Sequence, residues 1–347
     1  MAKPAGTAQA IWQRLRWPSL LVVLLVTGGA LLPVAARAMP AKQILAELDR
    51  VIERAKSNPA GEQLQSALKE IITQAYGLSN ASRLNHQVYV ALFSETRLSP
   101  GLCYAGFCES TERHSSASII KVVTLVAVVR EIEAGCLTWE TMVEGRTVEE
   151  QVGRMIKHSS NDAYNALTRL IGFESINAWL TELGFAKEEL YVGHYLLPAS
   201  NAGGKTCGRN RSTAAGLAKL FFLIAQEEEV EGFLSAAGLS QVRELLSSPG
   251  PVNNDPGHND RLNGCLPGDV CFMHKTGFNK SVLADGGIVQ SGDAAFIVVV
   301  FDKAGSRGTM RQLGLKLFDY ATAQKAPPPV ETHEFYQPFV PRTGPVV

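Results

Sequence analysis

Strand-like segments stand near both ends of this chain, with helical periodicity between them. Residues 88–92 place apolar side chains in alternation, as a strand does. Residues 271–301 are typical of three strands, and the last run, Ala295 to Phe301, is apolar throughout like a central strand. Most of residues 115–184 have helical spacing. This order predicts an α+β fold, in which N- and C-terminal strands form one antiparallel sheet around an inserted all-helical region.

The spacing of apolar residues also sets the predicted helices. They cover residues 41–78 with a break at 59–61, then 122–132, 148–156 and 161–171, then stretches near 212–227 and 239–247, and finally about 308–324. Residues 191–211 are rich in Gly, Asn and Ser and are predicted to form a long loop. The tail after Lys325 contains three consecutive prolines and is expected to be extended and mobile.

The first residues of the chain are typical of an export signal. Basic side chains at the start precede an almost wholly apolar run from Leu20 to Leu32. Ala36-Arg37-Ala38 then provides small residues where a signal peptidase would cut, before Met39. This pattern predicts a signal peptide over residues 1–38 and a periplasmic or secreted protein. An uncleaved membrane anchor is the alternative, which the short apolar run disfavours.

Charge and cysteine content narrow the possible partners. Lys plus Arg and Asp plus Glu both number 33, so the chain lacks the basic excess that nucleic-acid binding needs. Export favours disulfides, and two close pairs could each staple a loop: Cys103 with Cys108, and Cys265 with Cys271. A zinc site built from these thiols is the competing interpretation. The remaining two cysteines, which could form a long-range pair or stay as buried free thiols, are Cys136 and Cys207.

Ser118 and Lys121 stand at the start of an apolar helix, three residues apart. That spacing puts both side chains on one face, within reach of each other. A serine hydroxyl becomes nucleophilic when a neighbouring base takes its proton, and a lysine serves as that base when its pKa is lowered. The same motif recurs at Ser66 and Lys69, which we expect on the surface of an amphipathic helix.

Two further motifs follow in sequence order. Ser159-Ser160-Asn161 lies between helical stretches, where a loop could place a hydroxyl and an amide into a cleft. The same spacing at Ser175 and Asn177 shows that this motif is weak alone. Lys275-Thr276-Gly277 lies on a predicted strand, where it offers a cation and a hydroxyl to a carboxylate, and a glycine that lets a ligand approach the backbone. An edge-strand lysine beside a glycine bulge is the structural alternative.

These three elements in this order are the signature of class A β-lactamases and penicillin-binding proteins. The chain resembles the class A β-lactamase family over residues 84–325, including the segment from Thr147 to Asn165 and the Gly286–Val289 stretch. The resemblance implies the β-lactamase fold for this catalytic domain. It follows an N-terminal helical segment, residues 39–83, and precedes a flexible tail, residues 326–347.

The resemblance also implies a role for each motif residue. Ser118 would be the acylated nucleophile, Lys121 its base, and Ser159 the relay of a proton to the leaving nitrogen. The expected substrate-binding residues are Asn161, Asn201, Lys275, Thr276, Gly277 and Phe278, with the backbone N–H groups of Ser118 and Phe278 forming an oxyanion hole. The expected ligand is a β-lactam or a D-Ala-D-Ala-like peptide, which implies a part in antibiotic resistance. We expect no cofactor or metal, a monomer, and no membrane span once the signal is removed.

Two departures from the family pattern qualify the function. In that family a Glu-Pro-x-x-Asn pattern supplies the glutamate that activates the deacylating water. Residues 197–201 match this pattern here, with Leu197 at the glutamate position. Slow release of the acyl group is therefore predicted, unless a nearby residue substitutes: Glu188, Glu189 or His194. The stretch between Lys121 and Ser159 is also shorter than in the family, which predicts a more open cleft.

Three functions remain open at this stage. The first is a β-lactamase-like hydrolase, and the second is a penicillin-binding D,D-peptidase acting on cell-wall peptides. Both attack an amide carbonyl next to a carboxylate, so the three motifs do not separate them, although Leu197 favours the second. The third is a binding module with a vestigial site, which the joint presence of five polar motif residues disfavours.

Overall fold

The structure is a computed structural model that describes residues 38–79, 81–108, 114–193, 210–248, 261–292 and 294–325. Nearly all of the predicted signal peptide and the whole predicted tail lie outside these ranges. Within them, no helix combines the length and the apolar character needed to cross a membrane.

The described helices follow the predicted order closely. They are α1 (Ala41–Arg54), α2 (Pro59–Ala75), α3 (Lys121–Glu133), α4 (Val148–Lys157), α5 (Asn161–Ile171), α6 (Phe173–Leu183), α7 (Ala214–Ile224), α8 (Ala236–Leu246) and α9 (Arg307–Lys325). Short 3₁₀ helices cover Ala81–Leu84, Ala117–Ile120 and Leu262–Cys265.

Several of the described strands contain only two residues. In chain order, the described strands are β1 (Met39–Pro40), β2 (Val88–Phe93), β3 (Tyr104–Phe107), β4 (His114–Ser115), β5 (Met142–Val143), β6 (Arg146–Thr147), β7 (Leu190–Tyr191), β8 (Arg211–Ser212), β9 (Val230–Glu231), β10 (Ser247–Ser248), β11 (Cys271–Asn279), β12 (Val282–Ser291) and β13 (Ala294–Asp302).

The main sheet confirms the predicted α+β arrangement. Its strand order is β10-β11-β12-β13-β2-β3, and every neighbouring pair is antiparallel. The early strands β2 and β3 therefore join the late strands beside β13, as expected of a sheet built from both ends of the chain. Helices α3 to α8 lie between these two groups in sequence. The predicted apolar strand β13 is central, with strands on both sides.

Two apolar cores lie on opposite faces of this sheet. One face packs against α2 and α9, through residues such as Leu68 and Leu313. The other packs against α1 and the inserted helical region, through residues such as Val126 and Phe222. Alternation along each strand sends successive side chains into the two cores, so Phe272 enters the first and Met273 the second. The three sequence motifs at Ser118, Ser159 and Lys275 meet where the helical region borders β11.

Local capping explains where the helix boundaries differ from the prediction. The expected break at residues 59–61 falls earlier, because Pro59 is the first residue of α2 and the Asn58 side chain accepts a hydrogen bond from the Ala60 N–H. Thr147 and Glu150 form a reciprocal capping box at the start of α4. The Ser66 and Lys69 side chains are exposed on α2, as expected of the repeated motif.

The proposed cysteine staples are not formed in the described part of the chain. Cys103, Cys108, Cys136, Cys265 and Cys271 are all free thiols, while Cys207 lies outside the described residues. For the first pair the reason is strand geometry. Cys103 and Cys108 flank the extended strand β3, which at about 3.3 Å per residue holds their Cα atoms too far apart for a bond. The described residues also contain no group of three or more His, Cys, Asp or Glu side chains that could hold a metal ion.

Candidate active site

Ser118 lies in a 3₁₀ helix rather than in the first turn of α3. The 3₁₀ helix Ala117–Ile120 leads directly into α3, which begins at Lys121. Side chains three residues apart eclipse one another in a 3₁₀ helix. Accordingly, the Lys121 Nζ donates a hydrogen bond to the Ser118 Oγ over 2.9 Å. Ala117, directly before the nucleophile candidate, has a φ of +44°, a strained value for a residue with a side chain.

The Lys121 side-chain nitrogen is buried and surrounded by oxygen acceptors. Its side chain is 0% exposed. Besides the Ser118 Oγ, three acceptors lie within hydrogen-bond distance of its Nζ: the Asn161 Oδ1 at 2.8 Å, the Ser159 carbonyl oxygen at 2.5 Å and the Ser159 Oγ at 3.2 Å. None of these described partners is a carboxylate. Burial, and next the Lys275 cation, lower the pKa of Lys121 to about 6, so the amine is largely neutral at pH 7.

Ser159 lies between two amines because the chain turns sharply there. Its φ is +52°, in the left-handed region, between the end of α4 and Ser160. Ser160 is the N-cap of α5, and its side chain accepts a hydrogen bond from the Ala163 N–H. The turn aims the Ser159 Oγ at the Lys121 Nζ, 3.2 Å away, and at the Lys275 Nζ, 3.1 Å away. One hydroxyl therefore links the two lysines.

Lys275 approaches the same point from β11. The side chain is 2% exposed, and its Nζ also donates to the carbonyl oxygen of Thr276 at 2.9 Å. Burial and the nearby Arg261 cation lower the pKa of Lys275, while the Asp285 carboxylate raises it, with a result of about 7. Lys275 is therefore not an isolated surface lysine. Thr276, the next residue, is only 5% exposed.

Gly277 permits β11 to approach the 3₁₀ helix that carries Ser118. A Cβ at this position would lie 3.1 Å from the Ala117 Cβ and 3.1 Å from the backbone nitrogens of Ser118 and Ile119. Any larger side chain would therefore push the strand away from Ser118. The glycine is not part of a bulge, because the β11–β12 register continues unbroken through it.

A buried ionic network behind β11 was not foreseen from the sequence. The Arg261 Nη1 donates to the carbonyl oxygens of Gly277 at 2.9 Å and Ala284 at 2.8 Å. The Asp285 carboxylate is 0% exposed; one oxygen lies 2.7 Å from the His274 Nδ1, and the other accepts the Leu262 N–H. This network fixes the strand pair that carries Lys275. The sequence signal for it was Asp285, a charged residue in the otherwise apolar first half of β12.

The remaining predicted residues divide into three groups. Asn161 joins the site through Lys121, as described above. Phe278 follows Gly277 on β11 with its side chain 64% exposed. Asn201, Leu197 and His194 lie outside the described residues.

The two glutamates considered as replacement bases are placed elsewhere. The Glu189 carboxylate lies 2.6 Å from the buried Lys219 ammonium and accepts the Ala186 N–H. Glu188 is exposed in the turn before β7. Glu189 thus anchors α7, and neither side chain is among the hydrogen-bond partners of Ser118 or Lys121 in the described structure.

Comparison with known proteins matches this geometry to a family. Residues 105–321 match the model of the "Beta-lactamase enzyme family". The chain belongs to the β-lactamase enzyme family. The match spans every described motif residue of the site, from Ser118 to Phe278. A search of curated proteins gives no match.

Solved structures of β-lactamase relatives share the fold at low sequence identity. An ancestral class A β-lactamase (GNCA) is 19% identical with a TM-score of 0.57, covering 73% of this chain and 99% of its own. The protein titled PBP-A is 17% identical with a TM-score of 0.57, covering 75% and 97%. A leucine-to-glutamate variant of PBP-A, described as an acyl-enzyme complex with penicillin G, is 18% identical with a TM-score of 0.56, covering 75% and 97%.

Proposed function

We propose that this exported protein is a serine acyl-transfer enzyme, which forms an acyl-enzyme on Ser118 with β-lactams or related amides and releases it slowly. The observation that carries the proposal is the 2.9 Å contact between the Ser118 Oγ and the buried Lys121 Nζ, whose pKa is lowered to about 6. An amine that is neutral at pH 7 can accept the proton of the serine as it attacks a carbonyl.

The first chemical step follows from this contact. Lys121 takes the Ser118 proton while the Ser118 Oγ bonds to the carbonyl carbon. The C–N bond then breaks, and Ser159 passes a proton to the leaving nitrogen, which its position between both lysines supports. The cationic form of Lys275, with Thr276, binds the carboxylate of the substrate. Asn161 lies beside Lys121, where its amide can also meet the substrate amide.

The strand pairing supports the proposed oxyanion hole. Asn279 and Val282 flank a two-residue turn, and such flanking residues exchange hydrogen bonds. Since the ladder alternates, the Phe278 N–H is directed away from β12, toward the open edge of β11. The Arg261 contact to both the Gly277 and Ala284 carbonyl oxygens fits this alternation, because it requires those two oxygens to lie between the strands.

Slow release is proposed because no described carboxylate is placed to activate a water. The described partners of Lys121 are a serine hydroxyl, an amide oxygen, and the hydroxyl and carbonyl oxygens of Ser159. Leu197, at the family's glutamate position, cannot accept a proton. These features favour a second candidate function, a penicillin-binding D,D-peptidase type of enzyme acting on cell-wall peptides. The likeness to PBP-A is in keeping with that candidate.

A time course with a chromogenic β-lactam, followed by intact mass, tests the proposal. We expect one stoichiometric mass gain, equal to the whole β-lactam, with few turnovers. Many rapid turnovers would contradict slow release and establish an efficient β-lactamase. The absence of any adduct at high β-lactam concentration would contradict acyl transfer on this chain.

The pH dependence of acylation should report both lysines. The pH dependence of the second-order acylation rate constant reports the pKa values of the essential groups in the free enzyme. It should rise as the pH increases through about 6, because Lys121 loses the proton that blocks its role as a base. It should fall above about 7, because Lys275 loses the charge that binds the carboxylate. The measurement is the acylation rate between pH 5 and 9, at constant ionic strength.

A Lys275→Gln variant sharpens this pH test. Removing a neighbouring cation removes one cause of the lowered pKa of Lys121, so the rising limb should move to higher pH. The falling limb should disappear at the same time. A rising limb that stays in place would show that Lys121 is not the group that titrates.

A further inference from the structure

Ala117 has a strained backbone conformation directly before the nucleophile candidate. Its φ of +44° lies in the left-handed region, which a residue with a side chain rarely adopts. Such a conformation persists only where the surrounding structure holds it in place. Ala117 is itself buried, and its Cβ lies toward Gly277 of β11. The contacts of the residue before it therefore help to determine how Ser118 is presented.

Ser116 makes these contacts on the side before Ala117. It is 0% exposed, although its side chain is a hydroxyl. Its N–H donates to the carbonyl oxygen of Asn210 at 3.4 Å, and its own carbonyl oxygen accepts the Ile119 N–H at 3.2 Å. Its Oγ accepts a hydrogen bond from the Ser212 Oγ at 2.9 Å. The backbone and the side chain of Ser116 are therefore both held.

Ser212 is a well-anchored partner because it lies in the middle strand of a small sheet. β8 pairs with β4 on one side and with β7 on the other, where Ser212 is opposite His114 and Leu190. Ser212 is also 0% exposed. Buried hydroxyls have lost their hydrogen bonds to water, so separating the two serines would leave both oxygens without compensation. The pair thus fixes a distance, whereas apolar contact in the same place would be non-directional.

Asn210 extends this support to the second sequence motif. Its Oδ1 accepts the Gly193 N–H at 2.9 Å and a hydrogen bond from the Tyr164 hydroxyl at 3.4 Å. Tyr164 is fully buried on α5, the helix that begins with Asn161. Asn210 is also buried, and its carbonyl oxygen accepts the Ser116 N–H. The segment before the nucleophile and the helix that carries Asn161 are therefore joined at one buried residue.

We propose that the hydrogen-bonded pair of Ser116 and Ser212 positions the nucleophile: it holds the strained backbone that presents Ser118 to its base. The inference rests on the proposed acyl transfer at Ser118. Neither hydroxyl is among the described hydrogen-bond partners of Lys121, so both are positioning residues that act through the backbone. A reacting geometry tolerates little displacement, and a shift of about 1 Å can lower a rate by about 10²-fold.

Ser116→Ala, Ser212→Ala and the double variant test the inference with a chromogenic β-lactam. The dependence of the acylation rate on β-lactam concentration separates the maximum rate from the concentration that gives half of it. Each single variant should lower the maximum rate by about ten- to 100-fold and leave the half-saturating concentration within about twofold, because the proposed carboxylate-binding residues lie on another strand. The double variant should be no slower than the slower single variant, because both changes remove the same hydrogen bond.

Thr168→Val is the matched control. Thr168 also belongs to a buried hydroxyl pair, in which its Oγ1 lies 3.4 Å from the Thr124 Oγ1 between α3 and α5. This pair does not contact the segment before Ser118 in the described structure, so the maximum acylation rate of the control should equal that of the wild type. The thermal midpoint of every variant is recorded to establish that it is folded.

Folded single variants that acylate at the wild-type maximum rate would overturn the inference. So would a raised half-saturating concentration with an unchanged maximum rate, or effects of the two changes that multiply in the double variant. If neither single variant folds, the pair serves the stability of the fold rather than the position of the nucleophile, and the inference falls. A wild-type enzyme that penicillin fails to label would instead overturn the proposed acyl transfer itself.

Discussion

Replacing Ser118 by alanine is expected to abolish covalent labelling by penicillin completely. In the proposed mechanism the mass gain requires a bond from the Ser118 Oγ, which lies 2.9 Å from the buried Lys121 amine. The Ser159 Oγ also contacts Lys121, but it lies on the leaving-group side of the proposed reaction. Intact mass after incubation with excess penicillin is the measurement, with the thermal midpoint recorded to establish that the variant is folded.

The chain supplies its own control for this experiment. Ser66 stands three residues before Lys69 on α2, so it has the same sequence spacing as the active pair, but both side chains are exposed to water. Ser66→Ala should be labelled as fast as the wild type. Labelling that survives in a folded Ser118→Ala variant would remove Ser118 from the mechanism.

Placing a glutamate at position 197 is expected to speed release of the acyl group by about 10²- to 10⁴-fold, the usual contribution of a general base. The residue lies outside the described part of the structure, so the expectation rests on the sequence pattern of residues 197–201. A carboxylate there could activate the water that attacks the acyl-enzyme. The measurement is the decay of the penicillin adduct by intact mass, after excess penicillin has been removed.

Leu197→Gln is the matched control, because glutamine has nearly the shape of glutamate but cannot act as a base. Its adduct should persist as long as that of the wild type. Equal decay rates for the glutamate and glutamine variants would show that residues 197–201 do not occupy the place that the family pattern gives them.

Features with a local sequence signal were predictable. The three strands after Cys271 were predictable because each has its own apolar pattern, and their common antiparallel sheet followed from short turns. Ser118 and Lys121 were predictable as neighbours because three residues separate them on one helical segment. Grouping them with Ser159 and Lys275 depended on the family signature, since nothing local joins residues so far apart in the chain.

The unpredicted features depend on tertiary register. The Leu262 N–H reaches the Asp285 carboxylate only because residues 261–265 pack against a particular point of the β11–β12 ladder, which no local pattern specifies. The charge state of Lys121 depends on its burial and on its distance from Lys275, and the sequence gives neither quantity. The cysteine pairs were judged by their separation in the chain, whereas the extended backbone of β3 determines their separation in space.

The Ser159 hydroxyl lies within hydrogen-bond distance of both lysine amines, so the three groups can share a proton. Lys121 and Lys275 have pKa values near 6 and 7 and reach the same oxygen atom. Between these two pKa values the pair therefore holds about one proton for two amines, and the Ser159 hydroxyl can pass it from one to the other. In the proposed reaction, the serine proton would be taken up and delivered to the departing nitrogen through this shared set of groups.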